Sequence, residues 1–481
     1  RPLFVYLGDW AERRYLFISL IIISIFFLFF FFFFFFLLIL LLFLFYFFSF
    51  VVNSFICVLL LLKRKYYSKL LDENWKDPKK YWDIINEVSG RKKYNELEEI
   101  ELSNETITAI ADPDRLALVF NEFFNEVPEK LILDADLKDV SDRLNSVTSV
   151  TESNVPSDTR RLGREEHTHY LDCFQLTESD VERAINSLKT SWTKTGDGLS
   201  PQFSKSISKL LSRILTPLFN KSLRDGVFPD ILKFAILIPI LKGGLKTQIS
   251  NYRPIARLLT ISKIFEKCVK EKITNYLDYI QFFLGNQYGF IKNKSTDLAL
   301  FRHITDITEG IERNNFSAAV YLDLAKAFDT VNHKLLIQKL KTIGIRGPLL
   351  DWFTSYLTDR EHSVRINNTI SPKLKMKHGV PQGSVLGPLL FNIYINNLFC
   401  MPLKAKIVGY ADDTSLQYSK PSAEEINEDF KHDQEIITKW FQNHLLHLNI
   451  NKCKGIVYSF KETEKGKNIN FKLGDIVHLN W

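Results

Sequence analysis

The strongest pattern in the chain is an apolar block. Residues 15–62 are almost uninterrupted Leu, Ile and Phe, with an unbroken Phe run from Phe31 to Phe36. A membrane-spanning helix needs about 20 apolar residues, so the tract predicts an apolar membrane-like helix that crosses a bilayer once, or twice as a hairpin. It is too long for the core of a signal peptide. Arg13 and Arg14 precede it and Lys63, Arg64 and Lys65 follow it, so flanking charge gives it no orientation. Its bias toward one residue type equally fits translated repeat sequence, and the residues leave both readings open.

After Lys63 the pattern changes at once. Residues 63–130 are charged, and the spacing of Ile107, Ile110, Leu116, Val119, Phe120 and Phe123 predicts helix. Residues 131–173 are polar, with scattered Ser, Thr, Asp and Arg, and read as a linker. A helix is predicted to start at Thr177, with Asp180 at the capping-box position. From there to about residue 460 helices, short apolar strands and Gly/Pro-bearing loops alternate, as in a globular domain, without internal repeats.

Composition changes this picture little. A chain of 481 residues has room for several domains and a large core. The net charge of +7 suits a polyanionic partner, nucleic acid or an acidic membrane surface, without deciding between them. Five dispersed cysteines with no CxxC pair argue against a zinc knuckle or a disulfide framework and for reduced thiols. A start at Arg1 rather than Met leads us to expect a fragment or a conceptual translation.

Three segments carry chemistry. Ala318-Ala319-Val320-Tyr321-Leu322 is a run of strand formers that ends in Asp323 and is followed by Leu324 to Asp329. Gly409-Tyr410-Ala411-Asp412-Asp413-Thr414 follows apolar Ile407-Val408 and precedes alternating Leu416 and Tyr418, which predicts a β-hairpin with two adjacent acids at its tip. His378-Gly379-Val380-Pro381-Gln382-Gly383-Ser384 is a Gly/Pro-rich loop leading into an apolar helix near Leu389. Adjacent carboxylates repel, and a divalent cation relieves that repulsion. Two such ions can clamp the attacking and leaving oxygens of a phosphoryl transfer. Taken singly, each segment is as well explained by a solvated turn or an ordinary loop. The specificity lies in their order, spacing and flanks together.

Residues 174–460 resemble the reverse transcriptase domain of LINE-type (non-LTR) retrotransposons. The likeness runs in order through Thr195-Gly196-Asp197-Gly198-Leu199, Asp225-Gly226-Val227-Phe228-Pro229 and Asn251-Tyr252-Arg253-Pro254-Ile255. It continues through Ser262 to Lys267, Gln287-Tyr288-Gly289-Phe290, and Tyr321-Leu322-Asp323 through His333. Gly379 to Ser384, Tyr410-Ala411-Asp412-Asp413 and Leu448-Asn449 with Lys452 complete it. Upstream, Trp82 to Asn86 and Phe120-Asn121-Glu122-Phe123-Phe124 are similar to the family's segment before the polymerase. Two departures stand out. Ile-Pro-Ile-Leu-Lys-Gly at 238–243 replaces a tighter Ile-Pro-Lys pattern, which leaves Lys242 without an assigned role, and Cys453 stands where Thr is common.

The resemblance implies an α+β right-hand polymerase, with fingers over 174–300, a palm over 301–460 made of an antiparallel sheet backed by helices, and a truncated start of a thumb over 461–481. Asp323, Asp412 and Asp413 would be the catalytic, metal-binding acids for two Mg²⁺ ions, with Mn²⁺ as the alternative. Phe328 would exclude a ribose 2′-hydroxyl. Gln382 and Gly383 would meet the incoming nucleotide and template. Arg253 would pair with the triphosphate, and Lys452 would protonate pyrophosphate. The implied partners are an RNA template, a DNA primer or target DNA and dNTPs, with a lipid bilayer as a further partner of residues 15–62. Location is expected at a membrane if that tract is genuine, and otherwise inside the cell, in the nucleus by resemblance. Competing readings are a group II intron-type maturase, a catalytically inactive remnant, and a membrane-anchored protein whose polymerase part is incidental. His444 and His447 read as ordinary histidines, and Trp192, Trp352 and Trp440 as core residues or stacking platforms.

Overall fold

The computed structural model describes residues 64–75, 77, 80–82, 84–85, 99–102, 105–108, 112–133, 170–283, 285–458, 469, 471–473 and 477–479. The chain divides into two compact units, 1–95 and 96–481. The described part of the first contains a helix over 64–74.

The second unit opens with a hairpin, β1 (Glu99–Leu102) and β2 (Glu105–Thr108), and helix α1 (Pro113–Leu133). The hairpin interrupts the stretch whose spacing predicts helix. Its Glu-Thr-Ile-Thr run is β-branched and alternating, which suits a pleated strand better than a helix. Next come α2 (Glu178–Asn186), α3 (Pro201–Ser206) and α4 (Ser208–Asp225). The cap of α2 forms as predicted: the Thr177 hydroxyl accepts from the Asp180 N–H at 3.1 Å, and the Asp180 carboxylate accepts from the Thr177 N–H at 3.0 Å.

Strands β3 (Ala235–Leu241) and β4 (Tyr252–Leu258) lead to α5 (Thr260–Tyr279) and α6 (Thr296–Glu312). Strand β5 (Phe316–Leu322), α7 (His333–Thr342), α8 (Gly347–Leu357), β6 (Arg360–Ile366), β7 (Thr369–Ile370) and β8 (Leu374–Met376) follow. Helix α9 (Gly387–Ile395), β9 (Lys406–Tyr410), β10 (Asp413–Lys420), α10 (Ala423–Asn443) and β11 (Lys454–Tyr458) complete the domain. A small hairpin, β12 (Phe471–Leu473) and β13 (Val477–Leu479), lies in the region expected to begin a thumb.

Two sheets organise these elements. The first has the order β11-β5-β10-β9, is antiparallel throughout and is packed by α6 and α10; all of its strands lie in the stretch expected to be the palm. The second has the order β4-β3-β6-β7, with β8 paired to β6, and its β3–β6 ladder is parallel. Residues 360–376, expected in the palm by position, therefore share the second sheet with residues expected in the fingers. Helix α1 covers this sheet: Leu116, Ala117, Phe120 and Phe124 share one core with Ala235, Leu237, Tyr252, Ala256, Leu258 and Val364.

The larger core runs behind the palm. Phe219 and Phe265 stack at 4.1 Å, and the fully buried Trp352 packs edge-on to Phe265 and donates its indole N–H to Ser222 at 3.1 Å. Trp352 and Trp440 are thus core residues, while Trp192 is 76% exposed. His444 is buried, stacked on Trp440, with Nδ1 bonded to the Trp440 carbonyl, so a surface metal role is excluded for it.

The expectation of a membrane-like helix ahead of the polymerase is corrected. Among the described residues no helix is long and apolar enough to cross a membrane. The two longest, α1 and α10, carry charge along their length (Glu126 and Lys130, Glu424 and Lys439) and bury one face only. The tract 15–62 that prompted the expectation lies outside the described residues.

Candidate polymerase active site

The site is assembled at the ends of strands. Strand β5 delivers Asp323 immediately after its last residue. Strands β9 and β10 form a hairpin in which Tyr410 pairs with Asp413, leaving Ala411 and Asp412 as a two-residue turn. Thr414 pairs with Leu322 across the β10–β5 ladder. One further step of that register brings Asp413 level with Asp323. The three acids predicted from sequence are therefore brought to one edge of the palm sheet.

Asp323 is also held from its other side. Its carbonyl accepts the Asn449 N–H at 2.8 Å, Ala325 donates its N–H to the His447 carbonyl at 2.8 Å, and the buried Cys453 thiol lies 4.0 Å from the same Asp323 carbonyl. The Leu448–Cys453 segment is thereby docked on the turn that follows β5, and it carries Lys452.

Charge at the site is divided between two signs. Asp413 is solvent-exposed, yet burial by the surrounding chain, then the negative charges of Asp412 and Asp323, push its carboxyl above the usual range, against the pull of Lys242 and Arg253. Burial lowers Lys326, Asp329 opposes that shift, and the like charges of Arg253, Lys452 and Lys242 add to it. Four cations thus stand beside three carboxylates. Lys242, Arg253 and Lys452 are exposed, and among the described residues Arg253 has no ion pair. Lys242, left without a role by the sequence, is brought into this group.

The loop after β8 forms the other wall. Gln382 donates from Nε2 to both carboxylate oxygens of Asp329, at 2.7 and 2.8 Å, and its carbonyl accepts the Ala256 N–H of β4 at 2.6 Å. Gly383 has φ +120°, and a Cβ there would stand 2.5 Å from the Ala256 carbonyl oxygen. Only glycine lets this loop lie so close to β4. Glu266 of α5, fully buried, accepts the Val385 and Leu386 N–H groups at 2.7 and 3.1 Å and ties the loop to the fingers. Phe328 stacks on Phe391 at 4.5 Å and meets Phe290 edge-on at 6.4 Å, while its carbonyl accepts the Val380 N–H.

Asp329 and Glu266 were missed as site residues by sequence reasoning. Both lie inside segments that carry the family likeness, but nothing in spacing alone says that Asp329 holds Gln382 or that Glu266 turns inward.

Three carboxylates at adjacent strand ends, with the charges of Asp412 and Asp323 raising Asp413, are a donor set that fits hard divalent cations. Among the described residues no group of three or more His, Cys, Asp or Glu side chains is already drawn together as a metal cage.

The comparisons with known proteins point the same way. The family model described as reverse transcriptase (RNA-dependent DNA polymerase) matches residues 240–471. A Drosophila melanogaster protein described as a probable RNA-directed DNA polymerase from transposon BS is 30% identical over 288 residues, 57% of this chain and 32% of that protein. The RNA-directed DNA polymerase from mobile element jockey of Drosophila funebris is 25% identical over 300 residues, 60% of this chain and 32% of its own length. A putative 115 kDa protein of the type-1 retrotransposable element R1DM of Drosophila melanogaster is 23% identical over 391 residues, 78% of this chain and 34% of that protein. The chain spans about a third of the length of these relatives. Ordered motifs, an antiparallel sheet with three acids at its strand ends and these matches converge: residues 240–471 match the reverse transcriptase family, and the relatives they resemble are polymerases of non-LTR transposable elements.

Proposed function

We propose that this chain is an RNA-directed DNA polymerase that extends a primer 3′-hydroxyl with dNTPs on an RNA template. The observation that carries the proposal is the register of β5, β10 and β9, which aligns Asp323 with the Asp412–Asp413 tip. In this reading Asp323, Asp412 and Asp413 hold two Mg²⁺ ions, with Mn²⁺ able to substitute. The ions supply charge neutralisation at the attacking and leaving oxygens.

The chain's own residues do the rest. Arg253, Lys242 and Lys326 face the triphosphate from the fingers side, where a planar guanidinium matches phosphate oxygens in two-point contact. Lys452, carried beside Asp323, gives a proton to the departing pyrophosphate. Gln382, fixed by Asp329, meets the nascent base pair, and Gly383, by letting the loop lie against β4, keeps that backbone in place. Phe328, braced by Phe391, closes the space a ribose 2′-hydroxyl would need. Positioning and electrostatics thus account for the chemistry, as in other phosphoryl transfers. The template is held through its backbone and A-form shape. A DNA primer or nicked target DNA, and hence work in the nucleus, belong to the same proposal.

The test is template-directed addition. Given a primed RNA template and one dNTP at a time, the protein should add only the nucleotide complementary to the next template base. Addition independent of the template base would contradict the proposal.

A further inference from the structure

The turn that carries Asp412 is not held by its own hairpin alone. Ala411 sits at φ +57°, a conformation that costs a non-glycine residue free energy and in two-residue hairpin turns usually falls to Gly or Asn. The carboxamide of Gln287, 1% exposed, closes on this residue from outside the palm sheet. Its Oε1 accepts the Ala411 N–H at 3.1 Å and the Gly289 N–H at 2.7 Å, and its Nε2 donates to the Ala411 carbonyl at 3.2 Å. Only this orientation of the amide satisfies all three groups, so the network fixes it.

The surrounding segment is fitted to the hairpin. Gln287 bridges Gly409 in parallel, with the Gly409 N–H given to the Asn286 carbonyl at 2.9 Å and the Tyr288 N–H to the Gly409 carbonyl at 2.8 Å. A Cβ on Gly289 would lie 2.1 Å from the Ala411 nitrogen. Asn392 of α9 holds the Gly289 carbonyl at 2.7 Å, and Lys294 holds the Gln287 carbonyl at 2.7 Å. The 286–289 segment thus lies along the outer edge of β9 through a single parallel bridge, and the Gln287 amide grips both polar groups of Ala411.

We propose that Gln287 is a positioning residue of the polymerase. It fixes the Ala411 peptide and so sets where the Asp412 and Asp413 carboxylates stand. The inference rests on the metal-binding reading of those acids for its consequence, but not for the clamp itself. An apolar residue of the same length would fill the space and leave both Ala411 groups buried without partners.

The experiment compares the full chain with Gln287→Met and, as a second variant, Gln287→Glu, which keeps the acceptor and loses the donor. Hydrogen exchange over residues 408–416, Mn²⁺ binding by electron paramagnetic resonance, and the melting temperature are read on each. The expected result is faster exchange confined to that hairpin, Mn²⁺ affinity weakened about tenfold, as for other residues that orient metal ligands, and a melting temperature lowered by a few degrees at about the same cooperativity. Gln287→Glu should fall between the unaltered protein and Gln287→Met. Unchanged exchange and unchanged Mn²⁺ affinity in Gln287→Met would overturn the proposal, as would exchange that rises across the whole domain. If the unaltered protein bound no Mn²⁺ that Asp412→Ala abolishes, the metal reading would fail, and exchange at 408–416 would still decide whether Gln287 holds the turn.

Discussion

Gln382 places its single amide nitrogen midway between the two carboxylate oxygens of Asp329, 2.7 Å from one and 2.8 Å from the other. The pair joins the two strongest loop motifs of the chain and makes the loop's geometry depend on one ionisable group. Burial pushes the Asp329 carboxyl up to about 6, against the pull of Gln382, Lys326 and Arg253. Protonation would remove one of the two acceptors. The KM for dNTP should therefore be flat above about pH 7 and rise as pH falls through about 6. Asp329→Asn should raise KM roughly tenfold at all pH values and flatten this acid limb. For stability the sign is opposite. A carboxyl raised in the fold contributes stability that is fully present below about pH 4 and lost as pH rises through about 6. Thermal melting of the unaltered protein and Asp329→Asn between these limits checks it.

Gly383 has no room for a side chain. With a Cβ 2.5 Å from the Ala256 carbonyl oxygen and φ at +120°, Gly383→Ala should cost about 2 kcal/mol and displace the loop from β4. Denaturant unfolding gives the first quantity. The dNTP KM, raised more than kcat is lowered, gives the second.

Glu266 and Arg360 are both buried, at 0% and 1% exposure, and the charge of Arg360 is the main force opposing the upward shift that burial gives Glu266. Removing one partner strands the other. Glu266→Gln should lose about 3–5 kcal/mol of stability, and adding Arg360→Met should restore much of it. Additive losses in the double variant would show that the two charges are not coupled.

Phe328 is half-buried against Phe391 rather than lost in the core, which leaves an edge free to meet a sugar. Phe328→Ala should cut discrimination of dNTP over rNTP by about tenfold or more, read as the ratio of kcat/KM values. An unchanged ratio would return Phe328 to a packing role.

Much of the four-stranded antiparallel sheet was legible in the sequence because its signals are local. Alternation marks β10, the apolar run marks β5, and the acids stand at strand ends where the pattern breaks. The contribution of 360–376 to the second sheet was hidden, because the parallel pairing of β3 with β6 joins residues more than a hundred positions apart. The hairpin at 99–108 was hidden by a helical spacing whose later members, Leu116, Val119, Phe120 and Phe123, lie in α1, while Ile107 lies in β2. Among the site residues, the three acids announce themselves by repulsion that needs a cation. Asp329, Glu266 and Gln287 do not, since each works by a contact across the fold with another segment's amide groups. The likeness of Gln287 to its family was visible, but its grip on Ala411 needs coordinates.

The most direct measurement of the central claim is primer extension on an RNA template with Mg²⁺ and dNTPs, comparing the full chain with Asp412→Ala/Asp413→Ala. Both acids lie at an exposed hairpin tip, so the variant should fold. The account predicts RNA-templated DNA synthesis by the unaltered protein and its loss, by several orders of magnitude, in a variant with the same melting temperature. Synthesis that survives in the variant, or none from the folded unaltered protein, would contradict it.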